Sequence, residues 1–125
     1  KRDWGHAKDF VEGMWMILQQ KEPDDFVLAT GETYSVREFV EIAFNEVGIK
    51  IKWEGKGINE VGKHQKTQKI LIRVDKKYFR PTEVDILHGD YTKAKKNLGW
   101  SPKISFRELV REMIKSELKN SKWTV

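Results

Sequence analysis

Phe26-Val27-Leu28-Ala29-Thr30-Gly31 is the stretch that decides the fold class. Four apolar residues run together between Asp25 and Thr30, and Gly31 stops them. A short unbroken apolar run of this kind reads as a strand buried on both faces, the pattern of a parallel sheet. Around it the spacing changes to three and four. Ala7, Phe10, Val11, Met14, Trp15 and Leu18 fall on one helical face, predicting a helix from about Ala7 to Gln20 that stops before Pro23. Its Met and aromatic stripe reads as core. Gly13 costs that helix about 1 kcal/mol relative to Ala and allows close packing. Ser35-Val36-Arg37-Glu38 is a capping-box pattern. It opens a second helix with Val36, Phe39, Val40, Ala43, Phe44 and Val47 on one face, closed by Gly48.

Further along, Ile49, Ile51 and Trp53 alternate with Lys50, Lys52 and Glu54, predicting a half-exposed strand. Gly55 to Lys69 keeps no period and reads as a long mobile loop spanning 54–70. Ile70, Ile72 and Val74 make another strand, and Ile86-Leu87 a brief one. A short helix begins at Asp90 or Thr92 and ends at Gly99. Ser105-Phe106-Arg107-Glu108 is a second capping box, opening a helix that aligns Phe106, Leu109, Val110, Met113 and Ile114. Beyond it, Trp123 is a candidate to dock. The sum is an α/β fold with three main helices and few short strands. The Phe26 strand wants sheet neighbours that these 125 residues hardly supply, so part of a larger sheet is expected elsewhere.

Composition narrows the chemistry. Without cysteine there is no disulfide frame, thiolate metal site or cysteine nucleophile. No apolar run approaches the roughly 20 residues of a membrane span, and no signal-like segment leads the chain. The opening Lys1-Arg2-Asp3-Trp4 lacks an initiator Met and reads as the interior of a longer protein. The net charge is +5, and ten Lys/Arg against three Asp/Glu lie between Gly48 and Arg80. Such a basic stretch suits nucleic acid, a nucleotide-sugar phosphate, or an ordinary solvated surface.

Tyr78-Phe79-Arg80-Pro81-Thr82-Glu83-Val84-Asp85 sets a guanidinium and a carboxylate around a proline. Pro81 locks φ and pushes Arg80 out of the α region, giving a rigid extended corner. Arg80 offers a planar donor fork for phosphate oxygens, and Glu83 an acceptor for a ribose hydroxyl. The residues alone admit two readings, a nucleotide diphosphate clamp or a surface salt bridge beside a turn. Arg2, just before the first helix, is a second phosphate candidate. Two patterns are decoys. Tyr91-Thr92-Lys93-Ala94-Lys95 has the Y-x-x-x-K spacing of a tyrosine base, but lies late in the chain with no upstream Ser or Thr partner strand. Gly55-Lys56-Gly57 with Gly62 lacks the strand–turn–helix context of a phosphate loop. His6, His64 and His88 lack ligand spacing, and His6 suits a helix cap.

Arg2-Asp3-Trp4-Gly5-His6-Ala7-Lys8-Asp9, Phe26 to Gly31, Ser35 to Val40, the Tyr78–Asp85 corner and Gly89-Asp90…Thr92-Lys93-Ala94 together resemble one family. They are similar to the C-terminal third of the GDP-mannose 4,6-dehydratases, which are extended short-chain dehydrogenase/reductases. The resemblance covers nearly the whole chain, and is weakest at Gly55–Lys69. It implies a C-terminal substrate-binding part whose Rossmann core, with its NADP loop and its Thr/Ser, Glu, Tyr and Lys of the chemistry, is missing from this chain. It implies an internal redox: hydride passes from C4 of mannose to NADP⁺, the C5 proton and C6 hydroxyl leave as water, and hydride returns to C6. The product is GDP-4-keto-6-deoxymannose, on the way to GDP-fucose. Carried over, Arg2 and Arg80 contact the diphosphate of GDP-mannose and Glu83 the ribose. No catalytic residue, metal or cofactor is expected in these residues, which alone would be inactive. The whole enzyme would be a cytoplasmic homo-oligomer. The alternatives are a basic nucleic-acid-binding module, another nucleotide-sugar epimerase or dehydratase, or an interaction domain.

Overall fold

A computed structural model describes residues 1–121. They form four helices and a small antiparallel sheet. The helices are α1 (Ala7–Leu18), α2 (Val36–Glu46), α3 (Thr92–Leu98) and α4 (Phe106–Asn120). The strands β1 (Ile51–Glu54), β2 (Val61–His64) and β3 (Ile70–Arg73) lie in the order β1-β2-β3.

Both capping boxes form. Ser35 Oγ accepts from Glu38 N at 3.1 Å while Glu38 takes the Ser35 N–H at 2.6 Å. Ser105 and Glu108 repeat this at 3.3 and 2.8 Å. Each box satisfies two N–H groups that the helix start would leave orphaned. α2 and α4 then pack together, burying Ala43, Phe106 and Val110. Trp4 stacks on Phe39 at 5.1 Å, and Tyr34 stacks on Phe106 at 4.0 Å. The segments before α1 and α2 are thereby pinned to the same core.

A second centre forms around Trp100, which is almost fully buried. Its indole N–H donates to the Asp9 carbonyl at 2.8 Å. The Asp9 carboxylate, itself buried, accepts from Lys103 N and Ile104 N, both at 3.0 Å. Gly13 lets this happen: a Cβ there would lie 2.7 Å from a Leu28 methyl and 3.0 Å from the indole nitrogen.

Three expectations need correction. Phe26–Ala29 is not a strand, since no backbone hydrogen bond pairs it with another segment among the described residues. Leu28 packs on α1 and Ala29 is buried, while Val27 is exposed. Gly55–Lys69 is not a long loop. A 3-10 turn (Gly57–Asn59) and β2 lie within it, and Trp53 faces Gly62 across the β1–β2 pair. A Cβ on Gly62 would crowd Trp53, Ile51 and Ile72 at 3.1 to 3.3 Å, so the glycine that breaks the periodicity is what lets the sheet pack. Ile86-Leu87 forms no strand, although Leu87 N does donate to Lys1 O at 3.0 Å. Trp123 lies outside the described residues.

The stripe on α1 also departs from its reading as core. Val11, Met14, Trp15 and Leu18 are 57 to 79 % exposed. The helix meets its neighbours through Asp9 and Gly13, so its apolar face is left without cover among the described residues. An uncovered stripe of this kind drives association. Size-exclusion over a range of concentrations should show self-association that Trp15→Lys weakens; a concentration-independent monomer would count against it.

Removing either cap should cost about 1 kcal/mol of stability, read by urea titration of Ser35→Ala and Ser105→Ala. Backbone N–H donation from Ser35 and Ser105 holds Glu38 and Glu108 below the usual carboxylate range. A carboxyl held down in the folded state stabilises above its unfolded pKa, and that contribution is lost as pH falls through the lowered folded value. The melting temperature should therefore drop as pH falls from about 5 to about 3, more shallowly in the double Glu38→Gln, Glu108→Gln variant, which has no carboxyl to titrate at the caps.

Candidate functional site

Residues 1–3 run in extended form between two segments. On one side Arg2 exchanges both backbone hydrogen bonds with Tyr34, at 3.0 and 2.9 Å. On the other, the Lys1 amine donates to Asp85 O, and Leu87 N donates to Lys1 O. Those last two bonds have the layout of a parallel pair. The corner after Pro81 is thus tied to the chain start by main-chain bonds.

Side chains complete the connection. Arg2 Nη2 lies 3.0 Å from Glu83 Oε1, and Arg2 Nη1 donates to Val84 O at 2.8 Å and Lys1 O at 2.9 Å. The Asp3 carboxylate turns the opposite way. It accepts from Thr30 N at 2.9 Å, Thr30 Oγ1 at 2.7 Å and Gly31 N at 3.0 Å, with Gly89 N at a longer 3.4 Å. His88 Nε2 meets Gly31 O at 2.7 Å, adding a tie between the same loops.

The fold thus brings Arg2 and Glu83, 81 positions apart, into direct contact. Arg80 is exposed and, among the described residues, has no ion pair or side-chain hydrogen bond. The Arg2–Glu83 pair has side chains 30 and 54 % exposed, a setting in which ion pairs contribute about 0–1 kcal/mol. It is easily opened. A guanidinium is suited to an anion and a carboxylate to a diol.

The decoys resolve structurally. Tyr91 packs edge-on against Trp100 at 5.8 Å, and a Cβ on Gly31 would sit 3.2 Å from its ring. His6 caps α1, with its Nδ1 accepting from Lys8 N, while its Nε2 meets Glu112 at 3.0 Å. Gly55 turns the hairpin at φ +85. The glycines at 55–62 therefore form no strand–turn–helix cradle. Among the described residues no group of three His, Cys, Asp or Glu could hold a metal ion, and no helix is long and apolar enough to cross a membrane. Within the basic stretch Glu54 lies between Lys52 and Lys63, whereas Glu60 pairs outside it with Arg37 of α2. An apolar cavity of about 280 Å³ between α2 and α4 is lined by Ala43, Phe44, Val47, Ile114 and Leu118, with Glu117 its one ionisable group.

Sequence comparison adds a separate line. The family model described as GDP-mannose 4,6 dehydratase matches residues 1–113. The chain belongs to the GDP-mannose 4,6-dehydratase family. A human GDP-mannose 4,6 dehydratase is 60% identical over 94% of this chain and 32% of its own length. The Dictyostelium discoideum protein of that name is 58% identical over 94% and 33%, and the Sinorhizobium fredii (strain HH103) one 55% over 94% and 34%. The chain thus spans about a third of the length of these curated dehydratases. Within the family match fall Arg2, Arg80 and Glu83, and also Asp3 and Gly89, to which sequence reading gave no role. Nothing local marks Asp3, because its partners lie 27, 28 and 86 positions away.

Gly89 is a test of this dehydratase-family segment's packing. A Cβ at Gly89 would lie 2.2 Å from the Ala29 Cβ. Gly89→Ala should destabilise by about 1–3 kcal/mol in urea titration, as overpacking does. Adding Ala29→Gly should recover part of the loss.

Proposed function

We propose that this chain is the C-terminal GDP-sugar-binding part of a GDP-mannose 4,6-dehydratase of the extended short-chain dehydrogenase/reductase type. Arg2 and Arg80 would hold the diphosphate of GDP-mannose, and Glu83 the ribose hydroxyls. The observation that carries the reading is the contact of Arg2 with Glu83 across the whole span between them, on a backbone that ties residues 1–3 to 84–89. Guanidinium forks suit phosphate oxygens and a carboxylate suits a diol. Family membership supports GDP-mannose as the substrate.

In this reading NADP, which takes up hydride from the sugar and returns it, is bound by a Rossmann part beyond these residues. The groups that move protons lie there too. The whole enzyme would act as a cytoplasmic homo-oligomer converting GDP-mannose to GDP-4-keto-6-deoxymannose. These 125 residues contribute binding and no bond-breaking.

Isothermal titration with GDP at low salt should give heat for the chain, in the micromolar range or weaker, and none for Arg80→Ala. Equal heats for both proteins would sink the diphosphate role. Given GDP-mannose and NADP⁺, the chain by itself should show no turnover, and NADP-dependent product formation would overturn the assignment of chemistry elsewhere.

A further inference from the structure

We propose that Asp3 is the positioning residue of the nucleotide site: its carboxylate locks the extended start of the chain so that Arg2 faces the 80–85 corner. The inference rests on the diphosphate reading of Arg2. In extended backbone, neighbouring side chains point to opposite sides. Fixing Asp3 therefore fixes the direction of Arg2.

The fixing is unusually complete for one carboxylate. Oδ1 takes the N–H and the hydroxyl of Thr30; Oδ2 takes the N–H of Gly31 and, at longer range, that of Gly89. Donors thus converge from two chain segments, and both adjoin what Arg2 touches. Residues 30–31 lead into Tyr34, which holds the Arg2 main chain. Gly89 ends the run from Val84, which holds its guanidinium. A carboxylate only accepts, so it suits four donors; an amide at the same place would turn an NH₂ toward donors and lose part of the lock.

Asp3 touches no expected substrate atom. It acts through Arg2, so its effect on binding should depend on Arg2 being present. That dependence separates positioning from a general loss of stability, and a double-mutant cycle measures it.

GDP affinity is to be compared for the wild-type chain, Arg2→Ala, Asp3→Asn and the double variant. Each single change should weaken GDP by roughly tenfold, the scale of a lost charge-assisted hydrogen bond. The double variant should be no weaker than Arg2→Ala alone. Additive losses, or full affinity in folded Asp3→Asn, would overturn the proposal. If Asp3→Asn does not fold, Thr30→Val removes the 2.7 Å hydroxyl donor to Asp3, together with that hydroxyl's longer bonds to Glu32, and carries the same cycle, coupling supporting the proposal and additivity overturning it. A wild-type chain that fails to bind GDP would instead refute the diphosphate reading. The Arg2 Nε–Hε NMR resonance then decides the role of Asp3 by itself: Asp3→Asn should displace it as Glu83→Gln does, and an unmoved resonance overturns the proposal.

Discussion

The Asp3 carboxylate is the constraint on which the arrangement of the chain depends. Three backbone N–H groups and one hydroxyl point at it, drawn from residues 30–31 and from Gly89. Without an acceptor those part-buried donors would lose their partners, and a group left unsatisfied costs about 1–3 kcal/mol. The carboxylate also brings together pieces that no helix or sheet joins. The β-sheet contacts α2 through the Trp53–Glu41 bond, and α2 packs on α4. The segment 84–89 has no place in either layer. It is held by the chain start, by Asp3 and by the close seat of Gly89 on Ala29.

Asp9 repeats the device in the first turn of α1. There too a carboxylate gathers distant N–H groups, those of Lys103 and Ile104, while the carbonyl of the same residue receives the Trp100 indole. The first nine residues thus reach three separate parts of the chain through two aspartates. Apolar burial alone would not specify this. Among the described residues the largest fully buried side chains are Trp100 and Val110, and much of the α1 stripe faces outward. Polar satisfaction therefore carries the specificity of the fold where the core is thin.

What could be read in the sequence was local. Both capping boxes, the four helices and the strands at Ile51 and Ile70 follow from spacing within about a dozen residues, where sequence and contact coincide. The misreadings share the opposite property. β2 is a strand because Gly62 fits beneath Trp53 and beside Ile72, a fact about other strands. Phe26–Ala29 has a strand's composition, but a strand also needs a neighbour to bond to. At the site, Arg2, Arg80 and Glu83 could be singled out because guanidinium and carboxylate chemistry is visible in isolation. Asp3 could not, since its meaning lies in donors from residues 30, 31 and 89.

The Arg2–Glu83 pair bears directly on how such a site would take a nucleotide. An ion pair this exposed holds its partners at a cost of separation of about 0–1 kcal/mol, whereas a hydrogen bond to a charged group contributes about 1.5–3 kcal/mol. In the proposed reading, opening the pair would therefore cost Arg2 little when a diphosphate takes the place of Glu83. Glu83 cannot remain beside the incoming charge, since two anions would then share one guanidinium. It must turn away, and the ribose diol is the group on the proposed ligand able to receive it. Arg2 itself has little freedom to lose, because its main chain is already fixed on Tyr34. The ordering cost of binding then falls on the corner after Pro81, whose proline has already restricted it.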